Sequence, residues 1–288
     1  GVYVVNEAWV FEEGKEPATV SFYFRGETVT ETYNPARHLA SVAAVYIQAA
    51  ADGIKQPTCI LTAGTYSKPI SLTNNITLLG ANAGINPNIP DPDPTVEWEL
   101  NPERYLPELG DADSKNETRF WLPGEEDFNA SYGGGNSSMN TKLITIEATK
   151  SGAKNYIIDG LVLQGYGAVI ADTSASGGAH NVYVQNCVMN NGYSYDCEML
   201  RFWNRGAGNT CEKKLYFSNC YITGQKNLCL YSGHASAIRM KGFSYQNCPA
   251  GAFYNANTLQ WQGFSFELVD SHFWNEDGFE MRSNGYGQ

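Results

Sequence analysis

The sequence predicts an all-β fold in which parallel strands stack as a solenoid, with an amphipathic capping helix near the N-terminus and a long proline-rich insertion. Three observations predict it: a recurring strand-and-corner motif, one isolated stretch of helical periodicity, and a proline-dense acidic segment. The motif reads apolar-x-apolar-x-Asn-Cys in "NVYVQNCVMNNG" from Asn181, "KLYFSNCYITG" from Lys214 and "GFSYQNCPAG" from Gly242. "NYIIDGLVLQG" and "GFSFELVDSHF" place Asp159-Gly160 and Asp270-Ser271 where the others have Asn-Cys. Gly160, Cys187, Cys220, Cys248 and Ser271 then follow one another at 27, 33, 28 and 23 residues. Strands repeating at such a period, with no helix between them, cannot each bury a core alone and so stack on their neighbours.

The elements follow in chain order. Residues 1–34 read as an N-terminal hairpin, "VYVVNEAWVF" and "ATVSFYF" around "EEGKEP", set apart from a solenoid domain over 35–288. Residues 35–53 read as the capping helix, with Leu39, Val42, Tyr46 and Ile47 at helical spacing and a stop at Asp52-Gly53. Apolar residues then alternate between turn signals over 59–88. Residues 85–140 form the insertion, with seven of the twelve prolines, expected to project from one side as a flap with little regular structure. The repeats resume over 141–282. Within them Val182 and Val184 share one face, as Leu215 and Phe217 do. Asn or Asp then turns the strand, because these residues tolerate left-handed backbone. The next side chain is expected to enter a narrow corner that takes only Gly, Ser or Cys, which makes Cys187, Cys220 and Cys248 a ladder of small buried residues. Seven cysteines without a CxxC, and four histidines without ligand spacing, give no zinc signature. Stacked neighbours in that ladder meet the distance for a disulfide but point side by side, and Cys197 with Cys211 would close the loop of the longest repeat, so the pairing of the seven cysteines stays open.

The helix followed by "AGTY" and "ISLTNNITLLGANAG" resembles the start of right-handed parallel β-helices of the pectin-lyase-like superfamily, in which an amphipathic helix shields the first coil. The resemblance spans roughly 35–88 and 141–282 and implies a right-handed parallel β-helix. That architecture hosts lyases, hydrolases, epimerases, adhesins and phage spikes, so it implies no single activity. The polygalacturonase set (Asn-Thr-Asp, paired Asp, Gly-His-Gly, Arg-Ile-Lys) is absent; "AIRMKG" has Arg239 and Lys241 in another order. The Arg-x-Pro-x-x-Arg stretch of pectate lyases is absent too.

Charge narrows the partners. The net charge of −11 argues against nucleic acid, which needs basic patches. Residues 89–128 carry twelve Asp/Glu against three Lys/Arg, a net −9, so the acidity sits almost wholly in the insertion. No run reaches the ~20 apolar residues of a membrane span. The reading is an exported or surface-attached bacterial protein, extracellular or on the outer cell surface, whose partner is a polysaccharide or glycan. Two classes stay open: a polysaccharide lyase or hydrolase, and a catalytically silent adhesin or structural surface module, with a phage-spike-like protein third.

Candidate site residues concentrate in the longest repeat and the two after it. A lyase needs a base for a ring proton and a cation for the developing enolate. Arg239, Lys241, Asp196 and Glu198 are the candidate catalytic residues, and Arg201 and Trp203 the candidate substrate contacts. Glu276, Asp277 and Glu280 offer paired carboxylates. No cofactor is required. Calcium is the ion that carboxylates such as Asp91, Asp93, Asp111 and Asp113 would hold. Tyr193, Tyr195, Phe202, Trp203, Tyr231, Phe253, Tyr254, Trp261, Phe273 and Trp274 crowd the later repeats; those facing outward would stack on sugar rings.

Overall fold

The computed structural model describes residues 1–105, 116–121, 142–147, 152, 154–164, 168–172, 174, 178–190, 200–202, 211–224, 230–233, 235–246, 248, 251–256, 265–274 and 279–284. The described residues are all-β apart from one helix, and their strands pair mostly in parallel. From Thr58 onward the described strands, one antiparallel pair apart, fall in rotation into three parallel sheets, seven strands in each. One such pass runs Lys154–Asp159, Leu161–Gln164, Ala168–Asp172; the next runs Gly178–Gln185, Val188–Asn190, Leu200–Phe202. Each strand pairs with its counterpart one pass away, the arrangement expected of a parallel solenoid.

Alternation decides what the passes bury. Val182, Leu215 and Ile238 are cross-strand partners in the first sheet, and so are Val184, Phe217 and Met240. All six lie in the main core, which runs continuously from Tyr3 to Cys248. Residues between them in sequence, such as Tyr183 and Tyr216, face away.

The corner after each first-sheet strand is left-handed. Asn186, Asn219 and Asp270 have φ near +50°, and Gly160 and Gly242 have φ of +75° and +62°. Their spacings are 26, 33, 23 and 28 residues, so the corner is Gly160, not Asp159, in the first copy, and Gly242, not Asn247, in the fourth. Asn247 itself lies outside the described residues. The position after the corner holds Leu161, Cys187, Cys220 and Phe243, all fully buried, and then the half-buried Ser271. Leu161 and Phe243 break the small-residue rule that Cys187, Cys220 and Ser271 keep: where this position feeds the core, its size follows the local width of the stack. Side chains ladder along the corner. Asn186 donates to Asp159 (2.8 Å) and Asn219 to Asn186 (3.4 Å). Cys59, Cys187, Cys220 and Cys248 are buried free thiols. Burial raises the Cys187 thiol and pushes the Cys220 thiol up to about 12, so neither is poised as a nucleophile. Cys197 and the side chain of Cys211 lie outside the description.

The N-terminal region differs from the expectation. Val2–Val5 pairs in parallel with Thr58–Leu61 and His38–Leu39, so the first residues belong to the first sheet. The hairpin is instead Thr19–Phe24 with Glu27–Thr32, and it lays Phe22 over Val4 and Ile60 on that sheet's outer face. The helix is Val42–Ala51, shorter than 35–53, because residues 38–39 are already strand. Ser41 caps it by accepting from the Ala44 N–H, and Val42, Val45 and Ala49 enter the core. Ile47, read as part of the apolar face, is 74% exposed.

Glu31 ties the hairpin to the stack. It accepts from Arg37 Nε (2.7 Å) and Nη2 (2.8 Å) and lies 2.8 Å from His38 Nε2. The Asn34 N–H donates to His38 Nδ1, which puts the ring proton on Nε2, toward Glu31. The Arg37 hydrogen bonds, followed by those of His38, outweigh partial burial and lower the Glu31 carboxyl from 4.5 to about 2. A lowered folded-state pKa stabilises fully above the unfolded value and is lost as pH falls through the folded one. The hairpin should therefore loosen between pH 4.5 and 2. Trp9, edge-on to His38 at 5.5 Å, reports it. A fluorescence step in that range is expected in the wild type and absent from Glu31→Gln and from Trp9→Phe.

The insertion resolves into two excursions, since Thr118–Phe120 is a regular strand of the second sheet, between Gly64–Tyr66 and Leu161–Gln164. The described part of the first excursion, residues 80–105, does not project. It lies as a strap along the second sheet, with Tyr105 and Leu100 packed on the outward Val162, Val188 and Tyr221. Asn88 donates to the carbonyls of Cys220 (3.1 Å) and Gly242 (2.9 Å), and the Tyr105 hydroxyl donates to that of Asn186. Trp98 exchanges two hydrogen bonds with Gln246 and stacks on His272 at 5.4 Å. Only Asn88–Ile89 and Glu99–Leu100 are strand within it.

Candidate functional site

The hairpin covers the outer face of the first sheet only over its earliest strands, where Val4, Ile60 and Leu79 sit beneath Phe22, Phe24 and Trp9. Beyond that cover the face carries a different chemistry. Tyr183, Tyr216, Arg239 and Glu267 are successive partners across four strands. Strand spacing is roughly 4.8 Å, and the tyrosine rings stack accordingly, with centroids 4.8 Å apart and planes 14° from parallel. Arg239 Nε stands 3.1 Å from Glu267 Oε2, both side chains about half exposed (49% and 54%). Lys241 follows two residues on, beside Ser218. Tyr183, Tyr216, Phe217, Ser218, Arg239 and Lys241 line an open groove of about 250 Å³. Lys214, two residues before Tyr216, is exposed at its edge.

The stack follows from the strand sequences. "NVYVQ" and "KLYFS" each set a tyrosine between two core residues, so both rings must face outward at the same register. Two flat rings with cationic nitrogens beside them can stack on the CH-rich face of a sugar and hydrogen-bond its hydroxyl or acidic groups. Among the described residues no carboxylate lines the groove. On the same sheet Glu267 is paired with Arg239, and Glu212 accepts from the Ser236 hydroxyl at 2.6 Å.

Of the sequence-predicted residues, the structure brings Arg239 and Lys241 together here. Arg201 is in the third sheet, paired with Ala171 and Tyr231, and so stands on another face. Asp196, Glu198 and Trp203 lie outside the described residues, as do Asp111, Asp113, Glu276 and Asp277. Phe202 is core. Asp91 and Asp93 spend carboxylate oxygens on backbone N–H groups of their own loop, at 2.8 and 2.9 Å. Among the described residues no group of three or more His, Cys, Asp or Glu is placed to hold a metal ion.

The sequence reading missed Tyr183 and Tyr216, although their shared place in two aligned copies was signal enough. It also missed a polar cluster inside the core. Asp172 accepts from His180 Nδ1 (2.8 Å) and the Ser174 N–H (2.9 Å), while Lys213, partner of His180, donates to the Phe202 carbonyl at 3.0 Å. His180 and Lys213 share the inward parity of Val182 and Leu215, so extending the alternation two residues upstream would have exposed the conflict.

No known protein family, curated protein or solved structure matches this chain.

Proposed function

We propose that the chain is a glycan-binding module on a right-handed parallel β-helix of the pectin-lyase-like kind, acting outside the cell or on its surface. The observation that carries the reading is the Tyr183–Tyr216 stack flanked by Arg239 and Lys241 on a stretch of parallel sheet beyond the reach of the hairpin. A ligand running across the strands meets a ring, a ring and a cation in order, at the strand spacing. We read binding rather than turnover because the groove's described lining offers a ring stack and cations suited to holding a sugar chain, with no carboxylate among the described lining residues to pair with them. The contacts need no cofactor.

The test is a panel of uronic-acid and neutral glycans, followed for affinity, unsaturated products and new reducing ends. Saturable binding without either product is expected. Unsaturated ends would replace the reading with a lyase, and no binding to any glycan would end it. Arg239→Ala and Lys241→Ala should each weaken binding roughly tenfold or more, since a hydrogen bond to a charged group contributes about 1.5–3 kcal/mol. Titration calorimetry checks this, and unchanged affinity in both variants contradicts the site.

A further inference from the structure

Resting on that reading of the Tyr183–Tyr216 face, we infer that the binding surface runs on beyond the groove as a row of amides beside the rings, so that the ligand is a linear polysaccharide held over several consecutive units and not at a single sugar. The row lies two residues before the ring column on the same strands. Asn155, Asn181 and Lys214 are successive cross-strand partners, as Ile157, Tyr183 and Tyr216 are. Asn155 and Lys214 are exposed and Asn181 half-buried, on the face that alternates with the buried Tyr156, Val182 and Leu215. Asn75, just before the strand Ile76–Leu79, extends the row by one strand: its Oδ1 accepts from the Asn155 N–H at 2.8 Å.

Hydrogen bonds along the row fix which way each amide points. A backbone N–H can only donate, so the Asn75 oxygen faces Asn155 and its Nδ2 is turned away. Asn181 Nδ2 donates to Asn155 Oδ1 at 3.0 Å, which leaves Asn155 Nδ2 and Asn181 Oδ1 without a hydrogen bond to any described residue. The row therefore offers a ligand donors from Asn75 and Asn155, an acceptor from Asn181 and a cation from Lys214. It runs beside the ring column at roughly 6.7 Å, the rise of two strand residues. A sugar ring laid flat on Tyr183 or Tyr216 turns its hydroxyl edge sideways, toward that row. From Asn75 to Arg239 the two rows cross five strands, four spacings or roughly 19 Å, so a linear chain meets them unit after unit. The same groups recur from strand to strand, which suits a ligand whose own units recur.

The probes are oligomers of increasing length, from disaccharide to octasaccharide, cut from one unbranched hexuronic-acid polymer and, in parallel, from one unbranched neutral glucan. Titration calorimetry should show affinity rising about tenfold or more from the shortest oligomer that binds to the octasaccharide, as further units reach the amide row. Asn155→Leu/Asn181→Leu should lose roughly fivefold or more at the octasaccharide and nothing at that shortest oligomer, which the rings alone hold. Equal affinity at all lengths, or a double variant that treats both lengths alike, overturns the inference. Tyr183→Ser/Tyr216→Ser separates the two claims. If it abolishes binding while the wild type binds every length equally, the first reading stands and the amide row fails; if it leaves every affinity unchanged, the first reading fails. Should far-UV circular dichroism show the Asn155/Asn181 variant unfolded, Asn155→Ala at its exposed position serves instead. The same split between long and short oligomers then supports the row, and no split refutes it. Binding of neither series by the wild type refutes both.

Discussion

Lys213→Met should destabilise the chain by about 3–5 kcal/mol, the cost of removing one partner from a buried charged cluster. Lys213 is fully buried, and its Nζ reaches the Phe202 carbonyl while its charge faces Asp172. Burial works to raise the Asp172 carboxyl, but the Lys213 charge, the His180 hydrogen bond and the Ser174 N–H together hold it below the usual 3.8. Without Lys213 the carboxylate stays in the core with its main counter-charge gone. Methionine nearly matches the lysine stem in volume, so the loss reads charge and not a cavity. The double variant Asp172→Asn/Lys213→Met should be less destabilised than the two single costs added together. Equilibrium denaturation measures both, and a change under about 1 kcal/mol for Lys213→Met would show that Asp172 does not depend on it. The pH signature has a fixed sign. A carboxyl lowered in the folded state stabilises fully above pH 3.8 and loses that contribution as the pH falls below it, so acid should narrow the gap between wild type and Asp172→Asn.

Gly160→Asn should cost about 3 kcal/mol, the top of the range for overpacking, although asparagine occupies the same corner one and two passes later. Asn186 and Asn219 adopt φ of 51° and 52° with side chains in place, so left-handed backbone alone does not demand glycine. Space does. A Cβ on Gly160 would stand 2.2 Å from the Ala83 nitrogen and 2.4 Å from the Asn82 carbonyl carbon, both backbone. The beginning of the strap crosses directly over this corner, held by the Gly84 N–H on Asp159 (3.0 Å) and by Asn82 Nδ2 on the Arg104 carbonyl (2.8 Å). The substitution should therefore expose residues 80–105 to proteolysis before the stack unfolds. A variant as stable and as protease-resistant as the wild type would contradict this packing.

Strand interiors were legible in the sequence because alternation is a local property. Val182, Val184, Leu215 and Phe217 are buried as their spacing required. Corners were legible where the left-handed residue was Asn186 or Asn219. They were misread at Gly242, because glycine and asparagine serve the same backbone need and only pairing tells which residue turns. Phe243 shows why the position after the corner carries no rule: it fills the core between Phe217 and Phe273. The strap left no local mark at all, since Asn88 and Gly242 are 154 residues apart in sequence. At the site, Arg239 and Lys241 were read together because they share a strand, whereas Arg201 was grouped with them by sequence proximity alone. Arg201 stands in the third sheet and Arg239 in the first, so the 38 residues between them lead from one face of the stack to another.

The strap also has a place in time. Residues 82–105 leave the ribosome well before the strands they clasp, which end at Trp274. Early passes can zip up by contacts between neighbours, but Trp98 has no seat until Gln246 and His272 have arrived. The earliest-made part of this interface is thus the last to dock, and its docking registers that the later passes have been laid down in order.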